Sequence, residues 1–346
     1  MLDEPHGRPA EELEEGELAS FEAFRPTLRH AVWALIAALV LVFIALAVLS
    51  QVHKLSRYHW HFSPGWLVLS VLAFIAFEAM HMELWRRMLR ALHGHIAAPR
   101  AWAIWAVSLL ARYVPTQLLM VISRVALSER EGVPRRVCLA SIAYEFFLAV
   151  GSAIGLSVAF VIGLPALAHT LARWLTLLVP LAMLVAVHPR VFGRVARILL
   201  RRLGSEPLPV TLSFPRVLTF AAGYLCSFVV AGFGVYAFAR SLHAIAASHL
   251  PLMLTSYAVG YASAVVAFFI PGGLGVRDGA TASVLDTALP LSAAVAGAVG
   301  VRLVQTALEL LYAGVAEFAA RRFEATSEVA RSEEPIEAPR VTIPPG

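Results

Sequence analysis

Lysine is nearly missing from the chain: Lys54 is the only one, and the other 27 of the 28 basic residues are arginine. The arginines cluster between apolar stretches, which is the pattern of membrane-orientation charge, so the net charge of +5 does not imply a nucleic acid partner. Cysteine is equally scarce. Cys138 and Cys226 both fall within apolar stretches, which leaves no basis for a disulfide framework or a zinc site and predicts two buried helix residues. Charge of either sign is thin, at 15% of 346 residues against 59% hydrophobic, and the mean hydropathy of +0.73 rules out water as the main solvent. Residues 1–30 carry Glu11, Glu12, Glu14, Glu15 and Glu17 but neither the basic n-region nor the cleavage site of a signal peptide, and are expected to form a disordered cytoplasmic tail, as are residues 321–346. Catalytic signatures are absent too. There is no Ser-His-Asp order, nucleophile elbow, metal-protease helix or nucleotide-binding loop, so the chain is not expected to be an enzyme or to need a cofactor. His53, His59 and His61 crowd one loop, but no carboxylate or cysteine completes a metal site, and Tyr58 and Trp60 read as an interfacial aromatic belt.

What is present is apolar length. A crossing needs roughly 20 apolar residues for about 30 Å of hydrocarbon. Runs at about 31–50, 64–84, 137–163, 170–188, 217–239 and 292–318 meet that requirement. Two further segments, 101–123 and 251–289, are broken by Arg112-Tyr113-Val114-Pro115 and by Pro271-Gly272-Gly273-Leu274-Gly275-Val276-Arg277-Asp278. Broken backbone at membrane depth survives only beside protein or a watery cavity, so both are expected to be re-entrant hairpins. The expected fold is all-α and integral to the membrane, with about six transmembrane helices plus two re-entrant helical hairpins over residues 31–320. With both termini placed in the cytoplasm, the inner segments hold 21 Arg and Lys and the outer ones 5, which supports that orientation. An internal echo accompanies it. Tyr113-Val114-Pro115 matches Phe269-Ile270-Pro271, and Pro134 and Pro290 follow at equal intervals, an arrangement expected of an inverted repeat.

Ionisable groups inside a bilayer cost about 2.5–3.5 kcal/mol each and mark functional sites by default. Glu78, Arg112, Arg124, Glu145, Arg277, Asp278, Arg302 and Glu309 are the candidates, and they also suit simple pairing that holds helices in register. Arginine binds phosphate through a planar fork and stays charged, so a cavity lined by Arg112, Arg124, Arg277 and Arg302 would suit an anionic lipid head group. Pro115 would shape the first break. At the second, Pro271, Gly272, Gly273 and Gly275 let backbone amides approach an anion, beside a helix that starts near Asp278. Glu78 and His81 share one helix face and could relay protons, whereas Glu83 reads as interfacial beside Trp85, Arg86 and Arg87.

The run Arg112-Tyr113-Val114-Pro115, then Arg124, Glu131-Gly132-Val133-Pro134 and Glu145, together with Pro271 to Gly279, resembles the lysylphosphatidylglycerol synthase transmembrane (flippase-like) family over about residues 31–320. The resemblance implies a multi-pass protein of a bacterial inner membrane that moves lipids, aminoacylated in the best-known members, between leaflets, with related members linked to lipid-carried glycans. It gives Arg112, Arg124, Glu145, Arg277 and Asp278 places along the lipid pathway. Two positions depart from the family pattern: Thr116 stands where glycine is common, and Asp278 where glutamate is usual. The synthases carry a soluble aminoacyl-transferase domain after the membrane part; only a short tail follows here, so transport without synthesis is expected. The expected partners are membrane lipids, with homo-oligomers or envelope-biosynthesis proteins as further candidates. Alternatives are a secondary transporter of a small anion or amphiphile, a non-transporting assembly factor for envelope-lipid enzymes and, last, a membrane-embedded transferase.

Overall fold

The computed structural model describes residues 62–110, 118–163, 212–267 and 275–332, with scattered positions between 171 and 198. The expected crossing at 31–50, the histidine-rich loop and most of the crossing at 170–188 lie outside the described residues. Every regular element among the described residues is helical. In chain order the α-helices are α1 (Pro64–Ala91), α2 (Ala98–Leu110), α3 (Leu118–Arg130), α4 (Arg135–Gly163), α5 (Phe214–Leu242), the short α6 (Leu250–Met253), α7 (Ser256–Val266), α8 (Val276–Leu285) and α9 (Leu291–Ser332).

Proline punctuates these helices where it costs least. Pro64 and Pro215 stand in the first turns of α1 and α5, where a missing N–H leaves no bond unmade, and Pro134 and Pro290 immediately precede α4 and α9. α1, α4, α5 and the Leu291–Ala316 part of α9 are long and apolar enough to cross a membrane. Their outward faces are apolar: Val68, Leu69 and Leu72 on α1, Leu218 and Leu225 on α5, and Leu311, Val315 and Phe318 on α9 are all exposed. Such faces would drive aggregation in water and are satisfied by hydrocarbon. α9 runs past residue 320, where the sequence places the end of the membrane domain, as far as Ser332.

Cys138 is buried, as expected, but Cys226 is exposed. An apolar helix in lipid can turn small or sulfur-bearing residues outward at no solvation cost, so apolar surroundings in sequence do not imply burial in protein. Trp85 is fully buried and donates from Nε1 to Ser141 Oγ at 3.1 Å, while Glu83 pairs with Arg86 and Arg87.

The described helices fall into two runs of the same kind, long, short, short, long: α1 to α4, then α5 to α9 with α6 interposed. Their packing crosses over. α2 lies against α9, α7 lies against α4, and each short pair packs together, α2 on α3 and α7 on α8. α1 and α5 form the most extensive pairing and are pinned at three depths. Ser63 N–H donates to the Ser241 carbonyl at 2.8 Å, Ser70 Oγ to the Gly234 carbonyl at 2.8 Å, and His81 Nε2 meets Ser227 Oγ at 3.0 Å.

Candidate functional site

Between these helices lies a cleft of about 600 Å³, counting the space open at its mouth. α1 contributes Phe77, Glu78 and His81; α2 contributes Trp105; α3 contributes Arg124; α4 contributes Glu145; α7 contributes Tyr257 and Tyr261; α8 contributes Arg277; and α9 contributes Gln305. Two arginines and two carboxylates share its lining with several aromatic side chains.

Arg124 is 1% exposed, and such a guanidinium is tolerated only with its donors occupied. Its Nη1 pairs with Glu145 Oε2, its Nε donates to Ser108 Oγ at 2.9 Å, and its planar face lies 5.2 Å from the Trp85 ring centre and 5.7 Å from that of Trp105. Trp105 serves twice, since its Nε1–H also donates to Glu145 Oε1 at 2.8 Å. Both carboxylate oxygens of Glu145 are therefore held, and α2, α3 and α4 are tied at one point.

The second arginine sits differently. Arg277 occupies the first turn of α8, just after Gly275, whose φ of +78° lies in the left-handed region that a residue without Cβ adopts freely. It donates from Nη2 to Gln305 Oε1 at 2.8 Å, and its guanidinium stacks 4.7 Å over the Tyr257 ring. Gln305 turns its amide nitrogen to Tyr257 Oη, which closes a triangle between α7, α8 and α9. The Gln305 amide and the Tyr257 ring fix the orientation of the Arg277 guanidinium, which lines the cleft. Asp278 points its carboxylate back to Gly275 N–H at 3.3 Å and caps the helix instead of lining the cleft.

Glu78 is buried and lines the cleft together with His81. The Ser227 hydroxyl spends its hydrogen on the Tyr224 carbonyl at 2.7 Å, so it can only accept from His81, and Nε2 must carry a proton. Of the residues singled out in the sequence, the cleft gathers Glu78, His81, Arg124, Glu145 and Arg277. Arg302 is buried on α9 and is not among the side chains that line this cleft. Arg112, Pro115, Pro271, Gly272 and Gly273 lie outside the described residues. Trp105, Ser108, Tyr257 and Gln305, which hold the arginines in place, went unremarked in the sequence. Spacing offered a signal: Gln305 falls between Arg302 and Glu309 on one helical face, and Trp105 and Ser108 are one turn apart.

The chain matches the model of the lysylphosphatidylglycerol synthase TM region over residues 31–313. It belongs to this family. No curated protein matches the chain at a significant level. The matched span takes in every cleft residue, so the arginine–glutamate pair and the Arg277 triangle are parts of a lysylphosphatidylglycerol synthase transmembrane region. Membership, with the apolar helices, makes this a multi-pass membrane protein with a function related to membrane lipids.

Proposed function

We propose that the protein is a lipid translocase, moving an anionic, aminoacylated or glycan-linked lipid between the leaflets of a bacterial inner membrane. The observation that carries the proposal is the meeting of Arg124 and Arg277, from the third helix of each run, in one cleft with Glu145 and Glu78. A lipid head group crossing hydrocarbon must be rewetted or paired along the way, and a charge-balanced crevice supplies pairing without a net charge to strand in the bilayer. Arg277 offers a planar fork for a phosphate, and the Arg124–Glu145 pair can exchange partners with a zwitterionic or aminoacylated head group. The acyl chains stay in the surrounding lipid.

In this proposal the two runs of helices are inverted repeats, with α2–α3 and α7–α8 as the re-entrant hairpins among six crossings and both termini in the cytoplasm. Supporting it are the crossed packing of α2 on α9 and α7 on α4, the recurrence of helix starts at 98 and 135 as 256 and 291, and the 21-to-5 charge bias. The protein works by moving lipid, not by chemistry upon it.

The test is head-group translocation in liposomes holding the purified protein, using fluorescent anionic, zwitterionic and aminoacylated lipids and a leaflet-quenching readout. Faster movement of one class with wild type, lost in Arg277→Gln and Glu145→Gln, is the expected result. Movement no faster than in empty vesicles, with folded protein, sinks the proposal. A second function, proton-coupled transport of a small anion, is favoured by one observation, the presence of Glu78 and His81 in the same cleft. Uptake that depends on a proton gradient and is abolished by Glu78→Gln would select it.

A further inference from the structure

A second pocket, of about 790 Å³ counting the space open at its mouth, lies where α1 begins and α5 ends. Phe62, Ser63, Trp66 and Arg240 line it together with the Ala244–Ala246 segment. Trp66 is twelve residues before Glu78 on α1, about 18 Å along the axis at 1.5 Å per residue, so this pocket sits at the rim of the membrane domain and apart from the cleft.

Arg240 is half-buried and, among the described residues, is held by aromatic groups. Its guanidinium lies 4.5 Å over the Trp66 ring and 5.8 Å from that of Tyr236, and Nη1 donates to Tyr236 Oη. Arg86, Arg87, Arg100 and Arg124 each meet a carboxylate; Arg240 meets two rings and a phenol. The stretches of sequence that build the pocket supply no acidic competitor, because neither 23–77 nor 207–277 contains a single Asp or Glu. A cation in the last turn of α5 is favoured by the helix dipole, but that alone explains neither the aromatic clamp nor the open pocket beside it. A guanidinium carries five N–H donors in a fixed fork, and stacking fixes its plane while leaving in-plane donors to meet an oxyanion. Tryptophan beside arginine at a helix end is also the composition of the lipid head-group layer.

We infer that Trp66 and Arg240 form a rim site for the phosphate of a membrane phospholipid. Its acyl chains would run down the exposed apolar face of α1 at Val68, Leu69 and Leu72. The site is separate from the cleft and holds lipid whether or not the protein translocates it.

The test uses the full chain in nanodiscs doped with a phosphatidylglycerol that bears a diazirine next to its head group, with crosslinks mapped by peptide mass spectrometry. Wild type is expected to label within 62–66 and 240–246, and Arg240→Gln to lose about tenfold of that labelling, the factor that one charge-assisted contact confers. Ala244→Glu keeps Arg240 in place but gives it a carboxylate, and is expected to lose labelling to a similar degree. A phosphate-free glycosyl diacylglycerol probe should label weakly and equally in all three proteins. Equal labelling by phosphatidylglycerol in wild type and both variants overturns the inference. Loss of wild-type labelling in millimolar inorganic phosphate overturns the assignment to lipid, since the site would then take the free anion.

Discussion

Gly260 controls how closely α7 and α8 approach, and replacing it with alanine gives a direct test of how Arg277 is positioned. A Cβ built there would lie 2.3 Å from Thr281 Oγ1, 3.1 Å from the Arg277 carbonyl oxygen and 3.3 Å from Arg277 Cγ, where ordinary contact begins at 3.4 Å. The first overlap is about 1 Å, and Thr281 is buried on a short branched side chain that has no room to retreat, so the helices must part. Overpacking of this kind costs about 1–3 kcal/mol, here at the upper end, and alanine returns about 1 kcal/mol of helix propensity. The net expectation for Gly260→Ala is a loss of about 2 kcal/mol in reversible unfolding from mixed micelles, with reduced translocation because α8 carries Arg277. Thr281→Ala removes the closest atom, so Gly260→Ala/Thr281→Ala should be more stable than the two single effects predict, with a coupling of about 1–2 kcal/mol. A single variant as stable as wild type, or strictly additive effects, would refute the close approach of the two helices.

Arg124→Gln leaves the Glu145 carboxylate without its cation and should cost about 3–5 kcal/mol in the same unfolding measurement, while Arg124→Gln/Glu145→Gln should cost less than the single change. Trp105→Phe keeps the ring face but deletes the donor to Glu145 Oε1, so a loss of about 1–3 kcal/mol is expected; an unchanged midpoint would argue against that hydrogen bond. In mild detergent N-ethylmaleimide should modify Cys226 and spare Cys138 until the protein is denatured, as read by intact mass.

Much of this arrangement was legible in the sequence, because the bilayer imposes strict rules. Apolar length announced α1, α4, α5 and α9, and proline beside glycine or charge announced the short helices α2, α3, α7 and α8 between them. Glu78, His81, Arg124, Glu145 and Arg277 stood out because ionisable side chains are rare in such segments, and the cleft collects all five. The same rule could not tell which way a charge faces. Arg302 belongs to a helix packed on both α2 and α8, and only the three-dimensional arrangement shows that Gln305, one turn further on, is the α9 side chain that lines the cleft. Trp105, Tyr257 and Gln305 were hidden for the opposite reason. Aromatic and amide residues in apolar helices serve equally as core, belt or ligand, and their roles emerge only with the distances to Glu145 and Arg277.

The three bonds joining α1 to α5 have a mechanical consequence. The pairs 63 with 241 and 70 with 234 share one antiparallel register, and 81 with 227 joins the same two helices about one turn out of it, further along the contact. A slip of a single helical turn, about 5.4 Å, would break all three at once, so these two helices cannot serve as the sliding surface of any working cycle. They are a stator. Spin labels placed one on each should keep a constant separation through turnover, and that pair offers a fixed frame against which displacements of the four short helices can be measured.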